Sequence, residues 1–434
     1  MFFLQINALA QTNELLVNEL LVNELDLDEA VRLALNNNLN LKKTGIDLAA
    51  SGYAEKNLWA EIFPTISANA GIGYRDAVFS PSPNNAGLNY SFGLGISLGL
   101  NAGIPYTIKN IKLAHEGNIL KYEDACNQLS IQITKTFYAL LAGQNNLVRF
   151  EEDLNLAQRQ YERNEVSFRN GLIQELALMQ SKLSVENARL NFITEGITHS
   201  NNMGEFLAML GMPPDADVTL LGEISIVKME ANAELLINQY LSGRPDIVRS
   251  AQEIERLVNS ERQLMMSIRA PSLNLSVDWS SSNFDPFTDS FSASARLSIP
   301  IDPWIPGTSR NQSAGRANDS IEKARLDLAI AEDAAKTQIR SLTAQLRNSW
   351  NSIEIAKLSH EAAMRTYQLT ELRFRNGTVE YQALEKALAD MSVARQRVLQ
   401  NELSYLNLIL NLSAAINVDW KKLIQTYGVS GEKG

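Results

Sequence analysis

Ser91-Phe92-Gly93-Leu94-Gly95-Ile96-Ser97-Leu98-Gly99-Leu100 changes character at every residue: the even positions are large and apolar, the odd positions serine or glycine. Strict alternation with a period of two puts the two classes on opposite faces of a β-strand. Three more stretches read the same way. Ile66, Ala68, Ala70, Ile72 and Tyr74 alternate with Thr65, Ser67, Asn69, Gly71 and Gly73. Leu273, Leu275, Val277 and Trp279 alternate with Ser272, Asn274, Ser276 and Asp278. Phe291, Ala293, Ala295, Leu297 and Ile299 alternate with Ser292, Ser294, Arg296 and Ser298. The pattern predicts strands over 64–75, 90–101, 271–280 and 290–300. Each is close to the roughly 9–11 residues that cross a bilayer at a tilt.

A single hairpin of this kind would read as the cover of a soluble core. Four segments placed alike in two repeats favour a membrane barrel. Phe92, Leu94, Ile96, Leu98, Leu100, Leu273, Leu275, Val277, Phe291, Leu297 and Ile299 then face lipid, and the small polar residues face a water-filled lumen. Four strands cannot close, and an open edge in lipid leaves backbone groups unsatisfied. Single-chain barrels begin at about eight strands, so identical copies must add the rest. Two copies give about eight strands and a filled interior, three give about twelve and room for a pore. Three copies are favoured.

Proline removes a backbone donor and clashes with the preceding helical turn, so its distribution maps where helix is excluded. All twelve prolines lie outside 106–212 and 307–434, two stretches rich in Ala, Leu, Gln, Glu and Arg. Helices are predicted at 106–170, 172–211, 307–376 and 378–417, with shorter ones at 28–62 and 233–270 leading into each pair of strands. At 1.5 Å per residue the first long helix would run about 97 Å, a rod rather than part of a compact globule. The two short helices of each half, stacked end to end, match the long one. Three copies would then form a tube of helical columns roughly 100 Å long.

The chain is a tandem duplication. Tyr161 through Phe168-Arg169-Asn170-Gly171-Leu172 is echoed by Tyr367 through Phe374-Arg375-Asn376-Gly377-Thr378, 206 residues later. Asn-Gly suits a chain reversal, both residues tolerating positive φ. The expected division is 1–26, a signal remnant or linker; 27–211, the first repeat; 212–232, an irregular linker; 233–417, the second repeat; and 418–434, a tail lying near that linker. Ala8-Leu9-Ala10 reads either as part of a disordered start or as the end of an export signal without its basic region. Residues 11–25 form a small repeat, read as helix or linker.

Composition excludes several classes. Thirty-nine Lys and Arg against 49 Asp and Glu leave a net charge of −10, the wrong sign for a phosphate binder. Cys126 is the sole cysteine, so neither an intrachain disulfide nor a cysteine-based zinc site can form. His115, His199 and His360 are far apart and read as helix-surface or interhelical residues. Nothing resembles a Gly-rich phosphate loop followed by Lys-Ser/Thr. No enzyme, cofactor or metal is expected, and no run of 18 apolar residues suggests a transmembrane helix.

Leu27-Asp28-Glu29-Ala30, Ala34-Leu35-Asn36-Asn37, the strand openings at Pro64 and Pro271, Arg244-Pro245-Asp246-Ile247 and the turns at Gly171 and Gly377 together resemble TolC-type outer-membrane efflux proteins, from about Leu27 to Val418. The resemblance implies a mainly α fold with β: two tandem repeats of long antiparallel helices and two β-hairpins, trimerising into a twelve-stranded transmembrane barrel continued by a periplasmic α-helical barrel. It implies the outer membrane of a Gram-negative-type bacterium and a passive exit duct in a tripartite efflux or type I secretion system. The partners would be a membrane-fusion adaptor and an inner-membrane pump, and the cargo small molecules or polypeptides. By the same resemblance Phe168, Arg169, Asn170, Gly171 and Leu172, with Phe374, Arg375, Asn376, Gly377 and Thr378, are the adaptor-contacting tip. The family's pore-narrowing aspartates, six and nine residues past the second tip glycine, are replaced here by Ala383 and Lys386. Glu175, Glu380, Glu385 and Lys386 remain as constriction candidates, against the plainer reading of a solvated surface. The competing functional reading is a soluble coiled-coil scaffold with two hairpins and no pore.

Overall fold

A computed structural model describes residues 24–75, 87–282 and 289–429. Ala8-Leu9-Ala10 and the repeat of residues 11–23 lie outside them. In chain order the first half contains β1 (Glu24–Leu25), α1 (Leu27–Asn37), α2 (Leu39–Lys56), a 3-10 turn (Leu58–Ile62), β2 (Thr65–Arg75), β3 (Gly87–Asn101), α3 (Ile104–Arg169) and α4 (Glu175–Met209). The link holds β4 (Thr219–Leu220) and β5 (Lys228–Met229). The second half contains α5 (Ala233–Tyr240), a 3-10 turn (Leu241–Gly243), α6 (Pro245–Arg269), β6 (Ser272–Ser282), β7 (Ser290–Ser298), a 3-10 turn (Asp302–Trp304), α7 (Ser309–Arg375) and α8 (Tyr381–Ile416). The helix α9 (Trp420–Tyr427) and the strand β8 (Gly428–Val429) follow.

Two compact units result. The sheet unit is Thr44–Tyr122 with Pro245–Asp333. Its four strands lie in the order β2-β3-β6-β7, every neighbouring pair antiparallel. The register keeps the two faces distinct, with Ser281 opposite Phe92 the exception on the apolar side. Ile66, Ile96, Val277 and Ala293 form one continuous row across the sheet, and Ala68, Leu94, Trp279 and Phe291 the next. On the other face run Ser67-Gly95-Asp278-Ser292 and Asn69-Gly93-Ser280-Ser290. The apolar face is bare in one copy of the chain: Ile66 is 68% exposed and Phe291 72%. Gly93 and Gly95 are buried beneath side chains of that polar face. A Cβ at either would stand 2.8 Å from Asn69 Oδ1 or Asp278 Oδ1 respectively. The last strand is shorter than the 290–300 expected: β7 ends at Ser298, and Ile299 stands exposed just beyond it. Below the sheet, α3 and α6 are tied by amides. Asn259 donates to Tyr106 O and Asn110 Oδ1, both at 2.8 Å, and Asn110 donates to Gln263 Oε1 at 2.6 Å. Polar residues at such a seam hold one helix register where apolar ones would slide.

The helical unit is Met1–Lys43, Glu123–Arg244 and Ala334–Gly434. It has two main cores. Ala30, Ile133, Leu140, Phe206 and Leu210 belong to one; Leu236, Ile339, Leu346, Leu412 and Ile416, each 206 residues later, belong to the other. The duplication is therefore one of packing as well as of sequence.

Two predicted helices are corrected. The helix expected over 28–62 breaks at Asn38, whose Oδ1 accepts the amide hydrogens of Asn40 and Leu41 at 3.0 and 3.1 Å while Nδ2 donates to Met209 O at 2.9 Å. An asparagine that caps the next helix ends the previous one. The helix expected over 233–270 breaks at Leu241–Gly243, and Pro245 opens α6 where its missing N–H costs nothing. The segment expected as signal remnant or linker ends inside the core: Leu25 is fully buried, and β1 pairs in parallel with β4. The tail and the linker do meet, as β8 pairs antiparallel with β5.

Tyr405 joins these parts. Fully buried, its hydroxyl accepts from Met229 N at 2.8 Å and donates to Val227 O at 3.3 Å. Tyr405→Phe keeps the ring but orphans a buried N–H. It is expected to lower the unfolding free energy by about 1–3 kcal/mol, read from denaturant midpoints in detergent.

Candidate functional site

Each long helix ends by the same set of bonds. Gly171 N donates to Phe168 O and Leu172 N to Ser167 O, both at 2.9 Å; Gly377 N donates to Phe374 O and Thr378 N to Arg373 O, again at 2.9 Å. The two glycines have φ of 71° and 69°. Both turns are the glycine-terminated C-cap in which paired bonds satisfy the last carbonyls. Only the glycine of each Asn-Gly pair takes positive φ; the asparagines remain at the right-handed side. The return helices begin three residues later than predicted, because the chain leaves each glycine extended. Gln174 (φ −79°, ψ 155°) caps α4 and Glu380 (φ −76°, ψ 158°) caps α8.

The side chains repeat too. Arg169 is held by Glu165 at 2.7 Å and Arg375 by Glu371 at 2.6 Å, one helical turn back in each case. Phe168, Arg169, Asn170, Gly171 and Leu172 are exposed, as are Arg375, Asn376, Gly377 and Thr378. Phe374 is half-buried, edge-on to Tyr381 at 6.0 Å. Between the two turns lies a cleft of about 810 Å³. Leu172 enters it from the first turn; Phe374, Arg375, Gly377 and Glu380 enter from the second. At its wall Asn164 is 3% exposed, and its Nδ2 has no hydrogen-bond partner among the described residues.

The constriction candidates separate. Glu175, Glu380 and Lys386 are exposed. Glu385 is half-buried and accepts a hydrogen bond from Ser184 on α4, so it links the two hairpins. Further links are Ser392 to Asp153 at 3.3 Å and Arg395 to Glu152 at 3.8 Å. Burial raises the Asp153 carboxyl above its ordinary value, although Ser392, Arg149 and Arg395 pull it down. Burial likewise raises the Tyr381 and Tyr367 phenols. Sequence reasoning missed Ser184, Asp153 and Ser392. They meet partners more than 200 residues away, and no local pattern marks them.

Each unit also exposes apolar residues outside these sites. From Leu172 (75% exposed) in the turn into α4, the residues Leu176, Met179, Leu183, Leu190, Ile193 and Ile197 recur at steps of three, four or seven, all uncovered. On α7, the pairs Ile355–Leu358 and Leu369–Leu372, each three residues apart, are exposed as well. In the sheet unit, Trp59 and Phe63 before β2 and Ile301, Trp304 and Ile305 after β7 stand exposed at one end of the sheet. Among the described residues no helix is long and apolar enough to cross a membrane, and no group of three His, Cys, Asp or Glu is placed to hold a metal ion.

Residues 236–418 match the family model described as outer membrane efflux protein. The toluene efflux pump outer membrane protein TtgC of Pseudomonas putida is 22% identical over 410 residues, covering 91% of this chain and 83% of that protein. The Campylobacter jejuni CmeC outer membrane channel superposes with a TM-score of 0.73 at 18% identity, over 92% of this chain and 88% of that one. The Vibrio cholerae outer membrane protein VceC gives 0.70 at 14% identity, over 91% and 96%.

Proposed function

We propose that this chain is an outer-membrane channel component of an efflux pump, a reading supported by its match to the outer membrane efflux protein model and its likeness to TtgC and CmeC, and that three copies of it close one passive duct. The observation that carries the reading is the four-stranded sheet with one largely apolar face and two open edges, β2 and β7. In lipid those edges demand partners. Because every pairing is antiparallel, β7 of one copy runs antiparallel to β2 of the next, so a ring closes without changing the pattern. Three copies give about twelve strands and an aqueous lumen lined by the serine and glycine face. The bare seams of α4 and α7 support the same assembly, since a neighbouring copy would cover them. Trp59, Phe63 and Trp304 suit the membrane–water boundary, where amphipathic aromatic rings collect.

The scaffold reading gives way to the pump-channel relatives and to a sheet face that a soluble protein would cover. The chain performs no chemistry and takes its energy from an inner-membrane pump. An adaptor meets the exposed turns at Phe168–Leu172 and Phe374–Thr378, and the cleft between them is its seat.

The duplication also sets the register between copies. Thr65 opposes Ser97 in the first hairpin and Ser272 opposes Ser298 in the second, which makes these pairs equivalent. Ser97 opposes Ser276, four residues past Ser272. Ser298 should therefore oppose Asn69 of the next copy, four residues past Thr65. Asn69→Cys with Ser298→Cys, in a Cys126→Ser background, is expected to give a covalent trimer on oxidation, whereas Gly73→Cys with Ser298→Cys is not. Planar-bilayer recordings on the same complex should show single-channel steps. A chain that stays monomeric without detergent and carries no current overturns the reading.

A further inference from the structure

Further from the turns than the tip cleft, a second cavity of about 360 Å³ lies between the hairpin α3–α4 and the hairpin α7–α8. Its size falls at the lower end of the about 300–1,000 Å³ typical of small-molecule sites. Three of its walls are aromatic, Phe150, Tyr367 and Tyr381, and its charged lining groups are the carboxylates Asp153 and Glu385, one from each hairpin. No lysine or arginine lines it. Glu385 takes the Ser184 hydroxyl and Asp153 the Ser392 hydroxyl, so each carboxylate keeps acceptor capacity after its one neutral donor. Arg149 and Arg395 act on Asp153 from outside the lining, yet burial prevails and its carboxyl titrates high.

We propose that this cavity binds a small hydrophobic monocation, an ammonium with an aromatic or alicyclic body. The ammonium sits toward Asp153 and Glu385, and the body lies against Tyr367, Tyr381 and Phe150. Aromatic faces and carboxylates both attract an organic ammonium, and a desolvated site strengthens the attraction. An anion meets two carboxylates, and a neutral guest offers them no counter-charge. Occupancy ties α3 to α8. Its effect on the passage rests on the channel reading, whereas the binding does not.

The probe is benzyltrimethylammonium, titrated by calorimetry into the full chain purified in detergent. Saturable binding at one site per chain is expected. Asp153→Asn and Glu385→Gln should each weaken it about tenfold or more, and Tyr367→Leu several-fold. Glu162→Gln, exposed on α3 outside the cavity, should leave it unchanged. Ala188→Trp, which fills the cavity while both carboxylates are kept, should abolish it and so tests the site even if a charge variant misfolds. Absence of saturable heat overturns the proposal. So does binding that survives Ala188→Trp, or equally tight binding of neutral benzyl alcohol.

Discussion

Leu94→Arg should abolish the assembled channel. Leu94 is the middle residue of β3, sits in the apolar row between Ala68 and Trp279, and is 55% exposed in a single copy. An arginine on the lipid face near the bilayer midplane costs about 2–4 kcal/mol. In a ring of three copies the penalty is incurred three times, on the order of 6–12 kcal/mol, comparable to the whole stability of a folded domain. The expected result is loss of the proposed trimer from outer-membrane fractions and efflux at the level of the deletion strain. Ser97→Arg is the control, three residues on and on the opposite face, between Thr65 and Ser276. That variant should assemble normally and shift the conductance toward anions, because it adds positive charge to the lumen. Normal assembly of Leu94→Arg would mean that this face does not meet lipid.

The second large effect is expected at Gly211, which ends α4 with φ of 74°. A Cβ there would stand 2.7 Å from Asn37 Cβ and 3.0 Å from its carbonyl oxygen. The left-handed conformation alone does not demand glycine: Asn417, 206 residues on, adopts φ of 54° at the end of α8 and accepts a hydrogen bond from Asn127 at 2.8 Å. The close approach of α1 makes glycine obligatory in the first repeat. Gly211→Ala combines backbone strain of about 1–2 kcal/mol with an overlap that must push α1 off α4. A total of about 3 kcal/mol or more is expected, measured as a fall in the denaturant midpoint of the helical unit. The same change at Gly171 or Gly377, where a Cβ meets nothing within 4 Å, should cost only the strain.

Much of this was legible because the signals are periodic. Alternation marks a strand whatever its neighbours do, so the four strands and their faces follow from the residues alone, and the missing prolines outline the long helices. The two turns were legible because the same Arg-Asn-Gly words occur twice. What stayed hidden depends on side chains that act across space. Asn38 is one asparagine among Asn36, Asn37 and Asn40, and only its bonds to Asn40, Leu41 and Met209 identify it as the break. Ser184 and Glu385 lie on different helices with no shared pattern. Ile299 extends the alternation by one residue beyond the point where the backbone ladder stops, which composition cannot register.

The pairing of β3 with β6 has a consequence for how such a ring could have originated. Each repeat owns one hairpin, and β3–β6 is the junction between the two hairpins of a chain. It repeats, inside one polypeptide, the contact expected between successive polypeptides. An unfused ancestor of one hairpin would have needed six encounters to seal the same circle. Joining the halves turns three of those six seams into intramolecular ones, free of the translational entropy lost when separate molecules meet. It also lets the two halves drift apart chemically, as Gly211 and Asn417 have done, without breaking the circle.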